Sequence, residues 1–169
     1  MTSVPDQASD DRAGQFKQQR SYARSCAMQY LYQMDTQNSW DCSDESLELF
    51  WNQLRDTFSE APLPSLKQAW KYAGGLIKGI GEKHNELDVL ICKAAQNWSL
   101  QRMSVVDRNI LRLATYEIVY VPQVSAVTAI DEAVELAKKF GQDDSPRFIN
   151  GVLDKIRKES AGELTNHLT

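Results

Sequence analysis

Apolar residues recur along this chain at spacings of three and four, the signature of helices that bury one face. Ala23, Ala27, Tyr30, Leu31 and Met34 set the first stripe, in a helix expected from about Gln18. Leu47, Phe50, Trp51, Leu54 and Phe58 set the second. Ser43 is its expected N-cap, and Glu45 and Glu48 follow in the early turns, where acids suit the helix dipole. APLPS at 61–65 breaks the chain, because each proline fixes φ and disfavours helix in the residue before it. A third helix is expected over Leu66 to Ile80, closed by Gly79 and Gly81, and a fourth from about Glu82, carrying Leu87, Leu90, Ile91, Ala94 and Trp98. After the short connection SLQRMS, a fifth runs from Ser104 to about Val119, a sixth from Ser125 to Phe140 and a seventh from Pro146 to about Lys158. No stretch joins alternating polarity to turn signals, so the expected class is all-α, with about seven helices.

The ends of the chain lack this periodicity. Residues 1–16 read as a disordered arm and 161–169 as a frayed tail. Between them, 17–100 and 101–160 are expected to be two helical subdomains of one compact domain.

Composition narrows the class. With 42% hydrophobic residues the chain can bury a sizeable core, and no apolar run reaches the ~20 residues of a membrane-spanning helix. The polar N-terminus shows no signal-peptide stretch, so the expected compartment is the cytoplasm. Cys26, Cys42 and Cys92 lie far apart and fit reduced thiols better than a disulfide framework. Net charge is −4, but it is unevenly spread: Arg12, Lys17, Arg20 and Arg24 follow one another with no acid among them. An acidic protein can therefore still carry a basic patch.

The residues of catalysis are thin. His167 lies in the tail, and His84 sits in GEKHNELD. Glu82, His84, Glu86 and Asp88 alternate, which scatters them around a helix instead of stacking them at i, i+4 as metal ligands need. They read as a solvated helix start. GGLIKGIGEK lacks the Gly-Lys-Ser/Thr ending of a phosphate-binding loop, and Asp131–Glu132 and Asp143–Asp144 read as helix-terminal charges. The expectation is a binding protein with no catalytic residue, no metal and no cofactor.

Two regions offer a ligand something. Lys17, Arg20 and Arg24 fall three and four residues apart, along one helix stripe, flanked by Ser21, Ser25 and Gln29. Such a row suits phosphate contact or is simply a solvated face. Near the C-terminus, KKFGQDDSPRFINGVLDK sets Phe140 and Phe148 among Lys138, Lys139 and Arg147. Capping explains much of it: cations in a last turn, Gly141 at a left-handed C′ position, Ser145 as N-cap and Pro146 at the first helical position. At about 100° per residue, Phe148 falls outside the stripe of Ile149, Val152, Leu153 and Ile156. It is placed to stack on an unpaired base, whereas Phe140 serves equally as a last core residue. Gly151, on the far side, would be accounted for by a close backbone approach.

The runs DRNILRLATYE (107–117), IDEAVELAKKFG (130–141) and FINGVLDK (148–155), with Val121–Pro122 between the first two and ARSCAMQYLY at 23–32, closely resemble the bacterial NusB family of transcription antitermination factors. That resemblance implies two small helical bundles packed together. It implies binding of the boxA element of nascent RNA together with NusE, the ribosomal protein that doubles as a transcription factor, within the antitermination complex of RNA polymerase. The family's RNA surface would carry onto Arg20, Arg24, Gln29, Lys139, Phe140, Asp144 and Phe148, and its NusE side onto Asp107. Ser21 and Tyr22 stand where the family often has arginines, which implies fewer phosphate contacts. An RNA-targeting domain related to ribosomal RNA methyltransferases and a homodimeric or larger helical assembly remain as alternatives.

Overall fold

The computed structural model describes residues 7–57, 62–96 and 98–166. Among these the chain forms six α-helices: α1 (Gln7–Gln37), α2 (Asp44–Thr57), α3 (Leu63–Ala94), α4 (Val105–Tyr120), α5 (Ala126–Phe140) and α6 (Ser145–Asn166). A 3-10 turn at Leu100–Arg102 joins α3 to α4. The helices pack as two bundles that share α4: α1 and α3 lie on one side of it, α5 and α6 on the other. Ile110, Leu111, Leu113 and Ala114 of α4 are almost fully buried, because that helix is apolar toward both bundles. Around it close Leu31, Ile77, Ile80 and Ile91 from the first bundle and Ile149, Leu153 and Ile156 from the second. An aromatic ladder holds α2 in place: Tyr30 meets Phe50 edge-on at 5.1 Å, Phe50 meets Trp51 at 5.2 Å, and Trp51 stacks on Trp70 at 5.7 Å.

Several helix ends fall where local chemistry puts them. Ser104 and Ser125 cap α4 and α5 by accepting from the N–H groups of Asp107 and Thr128, each at 3.1 Å. Helix α1 stops at Asn38, whose φ of 51° lets the Ser39 N–H reach back to the Met34 carbonyl at 2.9 Å.

Elsewhere tertiary packing overrides the local signal. Gly79 and Gly81 end nothing, since α3 runs through them as one helix of 32 residues. A Cβ on Gly79 would drive into the Tyr116 ring, and one on Gly81 would come within 2.7 Å of Cys42 Sγ. They are close-approach glycines where α4 and the α1–α2 connection lie against α3. His84 therefore sits inside α3 and not at a helix start, with its ring stacked on Trp40 at 4.7 Å and 8°.

The arm expected to lack structure is helical from Gln7, although residues 7–18 are all exposed. Nucleating a helix is costly, but adding residues to one already held by packing is nearly neutral for Ala, Gln, Arg and Lys. Gln19 pins this extension to α3 by donating to the Ser65 carbonyl at 3.3 Å and to Gln68 at 3.1 Å. Residues 1–6 lie outside the described residues.

At the other end, α6 continues to Asn166 instead of fraying after 158, and residues 167–169 lie outside the described residues. The Phe148 N–H bonds the Asp144 carbonyl at 3.1 Å, so Asp144 holds the N-cap position and Ser145 is already helical. Ser145 Oγ instead accepts from the Gln142 N–H at 3.0 Å, which tightens the turn between α5 and α6. Gly141 is extended (φ −91°, ψ −170°), not left-handed. It is glycine because a Cβ there would meet Ser145 Oγ at 2.7 Å and the Ala137 carbonyl at 2.8 Å. Among the described residues, nothing beyond its own helix comes within 4 Å of a Cβ built on Gly151, so no close approach there explains it.

Candidate nucleic-acid interface

A groove of about 1270 Å³ runs between the first half of α1 and the α5–α6 corner. Lys17 and Ser25 of α1 line one wall, Asp131, Lys138 and Lys139 of α5 the other, and Arg147 and Asn150 of α6 close one end. Lys138 is held by Glu135 at 3.1 Å, one turn back along its own helix. Lys17, Lys139 and Arg147 form no ion pair among the described residues, and they share the groove with the acids Asp131, Glu132 and Glu135. Lys139 Nζ also lies 5.1 Å from the centre of the Phe140 ring.

The cations of helix α1 divide sharply. Arg24 is 3% exposed, and its guanidinium forks onto the Glu117 carboxylate at 2.8 and 2.9 Å. Tyr72 donates to the same carboxylate at 2.7 Å, and Glu132 lies 3.9 Å from Arg24 on the groove side. Burial favours the neutral form of Arg24, but the Glu117 hydrogen bonds and charge outweigh it and raise its pKa further. Burial first, and then the Glu117 charge, push the Tyr72 phenol up to about 12. Where the resemblance implies an RNA contact at Arg24, this structure commits its charge to holding α1 to α4. Ser21 is committed as well, donating to both Glu132 oxygens at 3.0 and 2.8 Å.

The other expected residues scatter around the groove. Arg20 lies past its edge, 3.7 Å from the centre of the Tyr72 ring. Gln29 approaches through Ser25, to which it donates at 3.4 Å. Phe140 and Phe148 are half-buried against the core, and neither lines the groove. Asp144 is exposed at the α6 N-cap, outside the lining. Arg147 and Asn150 do line it, although their spacing alone offered no reason to choose them over other exposed positions of α6. The signal that could have found them is the sharp α5–α6 corner, which turns the first α6 turn toward Lys139.

Asp107 lies on another face. It occupies the first turn of α4, its N–H bonded to Ser104 and its Oδ1 buried without a hydrogen bond. Beside it runs a second ionic cluster. Asp35, at the end of α1, accepts from Arg108 at 2.5 and 2.6 Å, from Asn109 at 2.8 Å and from Arg112 at 2.9 Å. Arg112 also forks onto Asp88 of α3 and lies 5.0 Å over the Trp40 ring. Burial acts to raise the Asp35 pKa, but the Arg108 and Asn109 hydrogen bonds and the two arginine charges hold it below the usual carboxylate range.

Six helices in two bundles around a shared helix, with a cation-bearing groove across one seam, define an all-α two-bundle protein built around binding surfaces. A model described as the NusB family matches residues 21–158, and the chain belongs to that family. The transcription antitermination protein NusB of Elusimicrobium minutum is 43% identical over 141 residues, covering 83% of this chain and 94% of that protein. The one from Myxococcus xanthus is 37% identical over 137 residues, covering 81% and 93%. Thermotoga maritima NusB superposes with a TM-score of 0.68 at 36% identity, over 84% of this chain and 92% of that one. A NusB chain solved with NusE and double-stranded RNA superposes equally well, at 0.68, with 27% identity over 84% of this chain and 98% of that one. The family's role is regulatory and not that of an enzyme. No described helix is long and apolar enough to cross a membrane.

Proposed function

We propose that this chain is a cytoplasmic transcription antitermination factor that binds the boxA element of nascent RNA jointly with NusE, as part of an RNA polymerase antitermination complex serving ribosomal RNA synthesis. One observation carries the reading. The family match spans both bundles, 21–158, and the seam between them presents Lys17, Lys139 and Arg147, which form no ion pair among the described residues. Three such cations suit phosphates, while Ser25 and Asn150 offer neutral groups to sugar or base edges. Asp107, on the separate face at the start of α4, is the proposed NusE contact.

The test is a titration of single-stranded boxA RNA against a scrambled sequence, with and without NusE. The expected result is a preference for boxA that strengthens when NusE is added. Asp107→Lys should abolish NusE co-purification and leave binding of RNA alone in place. Equal affinity for boxA and scrambled RNA under both conditions would overturn the proposal.

A further inference from the structure

The α1 extension builds a second pocket beside the groove. It encloses about 570 Å³, within the range of sites that take a small ligand. Phe16, Tyr72 and Val121 supply apolar wall, Lys17 and Arg20 line it with positive charge, and Gln123 offers a carboxamide. Phe16 is 57% exposed. The Arg20 guanidinium lies over two rings, 3.7 Å from the centre of Tyr72 and 4.9 Å from that of Phe16. This stack leaves ring surface of Phe16 open. The acid in the pocket, Glu132, is bonded to Ser21 and close to Arg24, which leaves Lys17 and Arg20 as its lining charges outside an ion pair among the described residues.

Lys17, Thr128 and Glu132 line both this pocket and the groove, which makes the two spaces continuous around Lys17. Phe16, Lys17 and Arg20 all precede the family match, which begins at residue 21.

We propose that this pocket is a subsite for one unpaired nucleotide flanking the RNA segment held in the groove, its base stacked on Phe16 and its phosphate at Lys17 and Arg20. The inference rests on the RNA-binding reading above. Aromatic wall, lining cations and continuity with the groove favour a nucleotide over a peptide, for whose basic side chains the one lining acid, Glu132, is already engaged.

The experiment uses the full chain with NusE and fluorescence anisotropy on three single-stranded RNAs: a boxA dodecamer, and the same dodecamer extended by four uridines at its 5′ or its 3′ end. One extension should tighten binding by roughly 5- to 150-fold, the span of a single base–aromatic stack. Phe16→Ala should remove that gain and Phe16→Trp should keep it, with circular dichroism confirming helix content in both. Lys139→Glu, in the groove, should weaken binding of all three RNAs. If neither extension tightens binding, or the gain survives Phe16→Ala, the subsite is refuted while the groove stands. If Phe16→Ala instead weakens NusE capture with RNA binding intact, the pocket belongs to a protein contact and the inference is equally overturned. Should the wild type bind none of the RNAs, the functional reading itself fails together with the subsite.

Discussion

Arg24 and Lys17 lie two helical turns apart on α1, yet they do opposite work. Arg24 is buried on a carboxylate that also receives a tyrosine hydroxyl, and its charge is used up inside the protein. Lys17 stands exposed at a groove with no acid within ion-pair distance among the described residues. A cation on a helix is therefore a ligand contact or a structural strut according to what the neighbouring helix presents to it. Here α4 presents Glu117 to the Arg24 position, whereas the Lys17 position faces open groove. The difference also separates what each should cost when removed. Losing a buried ion-pair partner leaves the other charge stranded, while losing an exposed lysine leaves nothing behind.

The largest effect expected from this comparison is Arg24→Ala, which strands Glu117 at 1% exposure and should destabilise the fold by about 3–5 kcal/mol. Urea unfolding followed by circular dichroism measures it, and an unchanged midpoint would erase the distinction between the two cations. Next comes the acid limb of stability. Asp35 is held below its ordinary pKa in the folded protein, so the unfolded chain takes up its proton first as pH falls. Its contribution is therefore complete above the ordinary aspartate value of about 3.9 and is lost as pH drops through the lower folded value. Asp35→Asn should flatten the fall of the urea midpoint over that acid range. A slope equal to the wild type's would mean that the Arg108–Arg112 cluster contributes no pH-dependent stability. The smallest effect on folding belongs to Lys139→Glu, within about 0.5 kcal/mol for an exposed position. The same change should weaken boxA binding several-fold and lower the log–log salt slope by roughly 0.7, one phosphate contact on a single strand. A stability loss comparable to that of Arg24→Ala would place Lys139 with the struts.

Much of the fold was legible in the pattern of residues because helix signals are local. Ser43 caps α2 as expected, accepting from the Ser46 N–H at 3.2 Å, and the stripes read for α1 (Ala23, Ala27, Tyr30, Leu31, Met34) and α6 (Ile149, Val152, Leu153, Ile156) are the buried ones. The misreadings share one cause. Gly79 and Gly81 look like terminators because glycine has poor helix propensity, but here they make room for Tyr116 and Cys42, which are remote in sequence. The arm before Gln18 looks disordered because it buries nothing, but α1 is already nucleated by the packed half that follows. Of the expected RNA contacts, Lys17, taken from the helix stripe, and Lys139, taken from the family resemblance, both line the proposed groove. The ion pair of Arg24 was not legible, because its partner, Glu117, is 93 residues away.

By itself, then, the sequence determined the helical class, the buried faces and the presence of cations near both ends of the domain, since propensity and amphipathic spacing act over a few residues. Only the tertiary structure decided which cations remain available. Burial and ion pairing depend on groups brought together from distant segments: it joined Arg24 to Glu117, left Lys17, Lys139 and Arg147 facing a common groove, and set Phe16 open beside it.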